Sequence, residues 1–220
     1  MAVPPARAIV LLSGGLDSAV ALAWARRQDR AVLALTFEPP RRPRGERRAV
    51  DGLLAWAPEV RSIRLPVGFV TDAFVSKSPP VAAPEGYVPA RNLVYYSLAL
   101  HVAESQEAGW VVGGHTAEDA ETFPDVSSRF FASLSALAAE STLVGARTPA
   151  SIVQPLQAMR KHEVVRQGVA WDVPLGRTWT CIVDGPVHCG RCGGCRDRQA
   201  AFAKADVPDP TSYAAGDRFK

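Results

Sequence analysis

The chain has 220 residues, 47% hydrophobic and 21% charged, with 25 Lys and Arg against 22 Asp and Glu for a formal net charge of +3. That length accommodates one α/β domain with a substantial core, and no sustained apolar run is long enough to cross a bilayer. The small, arginine-dominated charge suits anionic ligands without demanding a nucleic-acid partner, and "MAVPPARAIVLLSGG" lacks a secretory cleavage pattern, so the expected compartment is the cytoplasm.

The first predicted element is an apolar strand, Ile9 to Leu12, which runs through Ser13-Gly14-Gly15-Leu16-Asp17-Ser18 into an Ala-rich helix over Asp17 to Arg27. In an open parallel sheet the first strand-to-helix turn is the usual phosphate site. Leu12, Ser13, Gly14, Gly15, Leu16, Asp17 and Ser18 therefore form the expected nucleotide loop. Its glycines let the backbone approach phosphate oxygens, its serines offer hydroxyls, and the new helix presents unpaired N–H groups. A carboxylate beside a polyphosphate is repulsive unless a cation lies between them, so Asp17 suggests Mg2+. The loop lacks the lysine of a Walker motif and matches poorly to cleavage of a terminal phosphate. The competing reading is a plain glycine-serine turn with Asp17 favoured by the helix dipole.

Further strands are expected at Ala31 to Phe37, Val60 to Leu65, Trp110 to Gly113 and Ser151 to Val153, with helices at Glu46 to Ala57, Asn92 to Gln106 and Ser127 to Ala139. Strands too apolar to face water, alternating with helices, imply a doubly wound parallel α/β sheet covered on both faces. Two proline-rich stretches interrupt the pattern, "EPPRRPRGERR" at 38–48 and "SKSPPVAAPEGYVPARN" at 76–92. Both read as loops bordering the site, with the character of lids.

Beyond Thr178 the alternation stops, which divides the chain into a nucleotide-binding domain over 1–177 and a small metal-binding element over 178–220. Cys181, Cys189, Cys192 and Cys195 stand in a C-x7-C-x2-C-x2-C pattern whose four thiolates satisfy a tetrahedral Zn2+. An iron–sulfur cluster uses the same ligands, and spacing alone does not separate the two. His188 reads as a neighbour of the cluster. With every thiol spent on one closed site, sulfur transfer is disfavoured.

"SGGLDS" is similar to the SGGxDS signature of the PP-loop ATP pyrophosphatases, also known as adenine nucleotide alpha hydrolase-like proteins. Together with "YVPARNLVYYSLALHVAES", "FPD", "PLQAMRKHEVVRQG", "TWTCIVDGPVHCGRCGGCRDRQAAF" and "DPTSY", it resembles the QueC family of 7-cyano-7-deazaguanine synthases over nearly the whole chain. The resemblance implies an ATP-dependent ligase that converts 7-carboxy-7-deazaguanine and ammonia to the nitrile preQ0, releasing AMP and pyrophosphate, on the way to queuosine or archaeosine. It implies a homodimer, and the chain leaves no room for an amidotransferase domain, so ammonia arrives free or from a donor in trans.

Carried over residue by residue, Ser13, Gly14, Gly15, Asp17 and Ser18 hold pyrophosphate and magnesium, and Lys161 in "RKHEVV" supplies the cation the loop lacks. Asp17, Ser18 and Lys161 are thus the candidate catalytic residues, and Arg91, Asn92, Asp119 and Asp125 the candidate substrate residues. Competing local readings make Asn92 and Asp125 helix caps and Lys161 an exposed helix-start side chain. The match departs from the family where "FEPPRRPRGERR" replaces a "DYGQRH"-like segment and where "GGHTAEDAETFPDVSS" replaces "GVNAVDYSGYPDCR". Those departures define the alternative of a divergent QueC-like ligase acting on another carboxylate or acceptor. A zinc-stabilised nucleic-acid module using the arginines at 41–48 is the reading from another class, but it gives the pyrophosphatase loop no purpose.

Overall fold

The computed structural model describes residues 7–28, 30–70, 87–143 and 149–214. Strands β1 (Arg7–Leu11), β2 (Ala31–Glu38), β3 (Arg61–Pro66), β4 (Trp110–Val112) and β5 (Ser151–Val153) form one parallel sheet in the order β3-β2-β1-β4-β5. The chain begins at the centre, winds outward to β3, then crosses to the other side, so the strand order reverses between β1 and β4. That reversal opens a crevice at the carboxyl ends of both strands.

Side-chain alternation along β1 assigns the two faces. Ala8 and Val10 point into a core shared with α1 (Leu16–Arg26), α2 (Arg44–Trp56), α6 (Lys161–Ala170) and α7 (Gly193–Ala205), where Leu22, Leu53, Val164 and Phe202 are buried. Ile9 points the other way, into a core with α3 (Arg91–Ser105) and α5 (Ser128–Ser141) built on Tyr96, Leu100, Phe131 and Leu134. Both faces are covered, which is why the central strands read as continuous apolar runs.

Three differences from the sequence reading bear on the site. The stretch 38–48 is not a long loop: α2 begins at Arg44, leaving only 39–43 between it and β2. A six-residue helix α4 (Ala117–Thr122) occupies a segment to which the sequence reading assigns no element; it buries no residue and is started by a Thr116–Asp119 capping box, so it has no apolar period to find. Finally α7 continues the α/β pattern past Thr178. Its Ala201, Phe202 and Ala205 enter the main core, and Arg166 of α6 donates to the Ala205 carbonyl at 3.0 Å. Residues 76–86 of the second proline-rich stretch lie outside the described residues. No described helix is long and apolar enough to cross a membrane.

Candidate active site

A cleft of about 730 Å³ opens at the carboxyl ends of β1, β2 and β4. Ser13, Gly15, Asp17 and Ser18 of the loop line it together with the apolar Leu35 and Phe37 and with Arg91, Asn92, His115 and Asp119.

The loop after β1 is shaped by bonds within it and clamps behind it. Gly15 N–H donates to Ser13 Oγ (3.2 Å), Ser13 Oγ donates to Ser18 Oγ (3.1 Å), and Ser18 Oγ donates to the Gly15 carbonyl (2.9 Å). Gly14 has φ +93°, and a side-chain carbon there would stand 2.7 Å from the Glu46 carbonyl, so the position admits only glycine. Behind the loop, Arg42 donates to the Ser13 carbonyl at 2.5 Å and the Trp179 N–H donates to the Gly14 carbonyl at 2.8 Å. With its carbonyls drawn backwards, the loop turns its N–H groups and the start of α1 toward the cleft, where an anion is stabilised.

Beside the loop lies a compact charge cluster. Lys161, at the first turn of α6, places Nζ 3.9 Å from Asp17 Oδ2 and 3.9 Å from Asp119 Oδ1. Burial pushes Asp17 up to about 6; Lys161 opposes this, and the nearby Asp119 and Glu118 carboxylates add to it. Burial works against the Lys161 charge too, but Asp17 and Asp119 outweigh it and hold the ammonium above its usual value. Glu118 accepts the Lys161 N–H through Oε1 (3.2 Å), while its Oε2 is buried without a hydrogen-bond partner. Three carboxylates, one with an orphaned oxygen, beside an anion-binding loop are a donor set that suits a hard divalent cation.

Asp119 Oδ2 accepts from both the Thr116 N–H and the Thr116 hydroxyl at 2.9 Å, which leaves Oδ1 toward Lys161. Asp125 accepts the Asn92 N–H at 3.2 Å and so closes the first turn of α3 from another element. Ser127, not Asp125, caps α5, through the Phe130 N–H at 3.1 Å.

Away from the cleft, the Sγ atoms of Cys181, Cys189, Cys192 and Cys195 all lie within 4.8 Å of one another, with Cys189–Cys195 and Cys181–Cys192 at 3.9 Å. A tetrahedron of thiolates at about 2.3 Å from a metal has edges of about 3.8 Å, so a metal ion fits the four sulfurs as they stand. N–H groups of Arg191 and Cys192 aimed at Cys189 bring its thiol down to about 6, toward the ligating thiolate.

With this geometry in place, one comparison decides the assignment: the family model described as Queuosine biosynthesis protein QueC matches residues 7–206. The chain belongs to the QueC family. The 7-cyano-7-deazaguanine synthase of Thiobacillus denitrificans is 40% identical over 222 residues, covering 94% of this chain and 98% of the relative. That of Thermosynechococcus vestitus is 36% identical over 227 residues, covering 94% and 96%. Among solved structures, the NMN synthetase of Francisella tularensis superposes with a TM-score of 0.53 at 15% identity, covering 93% of this chain and 79% of that one. At such identity the likeness carries the fold alone. It agrees with the expected PP-loop architecture.

In this QueC-family chain the cleft brings together Leu12, Ser13, Gly15, Asp17, Ser18, Arg91, Asn92 and Asp119 of the sequence-derived set, with Lys161 against two of them. Gly14 faces α2 behind the loop, Leu16 is buried in the core, and Asp125 stands under α3 and not among the cleft-lining residues. Three site residues lie outside the sequence-derived set: Glu118 of the carboxylate cluster, Arg42 and His115. Arg42, 6% exposed, donates to Ser13 O, Phe37 O, Glu38 and Glu46. It sits in a proline-rich stretch whose composition signals a lid and hides one inward-pointing side chain. His115 packs between Tyr96 and Phe131, with ring centroids at 6.0 and 5.7 Å. Burial brings its imidazole down to about 4 despite the opposing Asp119 charge, so it enters the cleft uncharged. The resemblance places His115 in the divergent segment expected near the substrate, but a lone histidine carries no signal of its role there.

Proposed function

We propose that this chain is a 7-cyano-7-deazaguanine synthase, forming preQ0 from 7-carboxy-7-deazaguanine, ammonia and ATP. One observation carries the reading: a single cleft joins a clamped PP-loop and its Lys161–Asp17–Asp119 cluster to Arg91 and His115, at a volume typical of small-molecule sites. The full-length relationship to named synthases supports the same substrate.

In this reading the loop N–H groups and Ser13 bind the β and γ phosphates, and the substrate carboxylate attacks the α phosphorus, releasing pyrophosphate. A carboxylate oxygen is a poor leaving group; adenylation makes it a good one. Ammonia adds to the acyl carbon, AMP departs and a proton is lost, giving the amide. A second adenylation on the amide oxygen, followed by loss of AMP and a proton, gives the nitrile. Asp17 and Asp119, with Glu118 beside them, hold Mg2+, which neutralises charge on the phosphates. Lys161 adds a fixed positive charge where negative charge grows on the leaving group. Arg91 suits a carboxylate through paired N–H donors, and the uncharged His115 offers ring nitrogens to the polar edge of a deazaguanine. The apolar side chains lining the cleft exclude water, which would hydrolyse the adenylate.

Zn2+ is the metal assigned to the four cysteines, since four thiolates at tetrahedral spacing form a closed structural site. The family resemblance supports a cytoplasmic homodimer. Incubation with ATP, Mg2+, ammonium and 7-carboxy-7-deazaguanine, read by mass spectrometry, tests the assignment: amide followed by nitrile is expected. AMP without either product would remove the substrate while leaving the adenylation chemistry standing.

A further inference from the structure

Trp179 touches both the nucleotide loop and the four-cysteine centre. On the loop side its N–H donates to the Gly14 carbonyl at 2.8 Å. Its ring lies in a notch that exists because residue 45 has no side chain: a carbon built on Gly45 would stand 2.1 Å from the indole. Gly45 and Ala49 belong to α2, the helix whose Glu46 carbonyl crowds Gly14 from behind. On the metal side, the indole N–H donates to the Cys181 carbonyl at 2.7 Å, and the ring packs against His188 at 4.2 Å between centroids. His188 in turn accepts the Thr180 N–H at 3.1 Å and directly precedes Cys189. Trp179, Ala49, Cys181 and Cys195 form a buried cluster of their own, separate from the two cores that cover the sheet.

A ring wedged between a backbone clamp and a ligand loop can keep its place only while both sides do. Without a metal, four thiols confined within 4.8 Å have no bond to hold them together, and the turn from Cys181 to Cys195 loses its closure. The Cys181 carbonyl and His188 then cease to fix the indole, and the Trp179 N–H ceases to fix Gly14. Groups supporting a site from behind commonly alter affinity by an order of magnitude or more.

We propose that Trp179 is a positioning residue through which the metal-loaded four-cysteine centre sets the shape of the nucleotide loop. Metal occupancy then governs ATP affinity and not the C-terminal fold alone. The inference rests on Ser13–Ser18 being the ATP loop, and it is independent of which carboxylate is adenylated.

The test compares ATP–Mg2+ binding by calorimetry for the wild type, Trp179→Ala and Trp179→Phe, each with metal content measured, and for the wild type after chelation. Amide hydrogen exchange at residues 13–18 is followed in parallel without nucleotide. Trp179→Ala, still metal-loaded, is expected to bind ATP about 10-fold more weakly or worse, with faster exchange in the loop. Trp179→Phe, which keeps a ring in the notch but loses the indole N–H bond to the Cys181 carbonyl, is expected to bind ATP with an affinity between those of Trp179→Ala and the wild type. Chelation should reproduce the alanine effect in the loop. Should Trp179→Ala not fold, Gly45→Ala displaces the same ring and carries the same expectation. Wild-type affinity and exchange in a metal-loaded Trp179→Ala or Gly45→Ala protein, or in metal-free wild type, would overturn the proposal. A wild type that binds no ATP would instead overturn the reading of the loop.

Discussion

Lys161 and Asp17 meet at 3.9 Å beside the cleft, a lysine from the start of the sixth helix reaching the loop after the first strand. In the proposed reading this is the phosphate loop; it carries no lysine of its own, and Lys161 would supply one from more than a hundred residues away. Because Asp119 Oδ1 shares the same ammonium, Lys161 also ties the loop to the segment after β4. Replacing it with methionine keeps length and removes the charge. AMP formation is expected to fall about 100- to 1,000-fold in kcat, the usual size for losing one preorganised group at a developing charge. Steady-state AMP release under saturating ATP measures it, and a loss under 10-fold would assign Lys161 a purely architectural role.

Asp17 is held in the cleft at a cost in stability. Its side chain is about a quarter exposed, and its pKa stands near 6 against an ordinary 3.8. A carboxyl whose folded pKa is raised stabilises the fold fully below its unfolded value, and the contribution is lost as pH rises through about 6. At pH 7.5 the ionised group therefore works against folding. Asp17→Asn should raise the unfolding free energy of the ligand-free protein by about 1–2 kcal/mol; the whole shift, about 3 kcal/mol and already net of Lys161, is an upper limit because the partly exposed side chain is screened by water. The same variant should lose AMP formation. A lower melting temperature for Asp17→Asn at pH 7.5 would contradict the balance of charges described above.

The parts of this protein that sequence made legible are those whose physics is local or periodic. The central strands β1 and β2 are apolar runs, β3 shows through the alternation of Ile63 and Leu65 with Arg64, and the glycine-serine turn after the first strand stands out by its spacing. Four thiols at close spacing are equally plain. Less legible were elements held by single polar contacts. The helix Ala117–Thr122 depends on one capping box, and α7 opens with two glycines and buries Arg198 through bonds to Thr178, Leu175 and Thr211. Asp125 shows the same limit: its partner, the Asn92 N–H, is 33 residues away, so a neighbouring helix seemed the natural one to cap.

His115 is held uncharged in the wall of the cleft, and that makes two separable predictions. His115→Phe keeps a ring against Phe131 and Tyr96 but removes both nitrogens. ATP affinity should be unchanged while KM for 7-carboxy-7-deazaguanine rises about 10- to 100-fold, the discrimination expected when a polar ligand edge loses its partner. The stability effect has the opposite sign to that of Asp17. A histidine with a depressed folded pKa contributes stability present above about 6.5, which is lost as pH falls toward about 4. The phenylalanine variant should therefore unfold less readily than wild type on acidification across that window. Urea midpoints at pH 7 and pH 5 measure it, and parallel pH dependence in the two proteins would refute the buried, neutral imidazole.

Arg42 offers the sharpest separation between charge and geometry. Its side chain is only 2% exposed, and its guanidinium reaches the Ser13 and Phe37 carbonyls and the carboxylates of Glu38 and Glu46 at once. A planar fork with five donors can satisfy that many acceptors in different directions; a lysine ammonium, a compact point charge, cannot. Arg42→Lys preserves the positive charge but leaves at least one buried acceptor unpaired, so a loss of about 1–3 kcal/mol is expected in urea unfolding. Arg42→Met also strands Glu46, which burial already pushes above the ordinary carboxylate range against the pull of Arg42, and the loss should grow to about 3–5 kcal/mol. If the acceptor released by Arg42→Lys is the Ser13 carbonyl, both variants raise KM for ATP, and by similar factors. If Arg42→Lys retained wild-type KM while losing stability, the guanidinium would hold α2 to β2 without shaping the loop, and the Trp179 clamp on Gly14 would be left as the main restraint behind it.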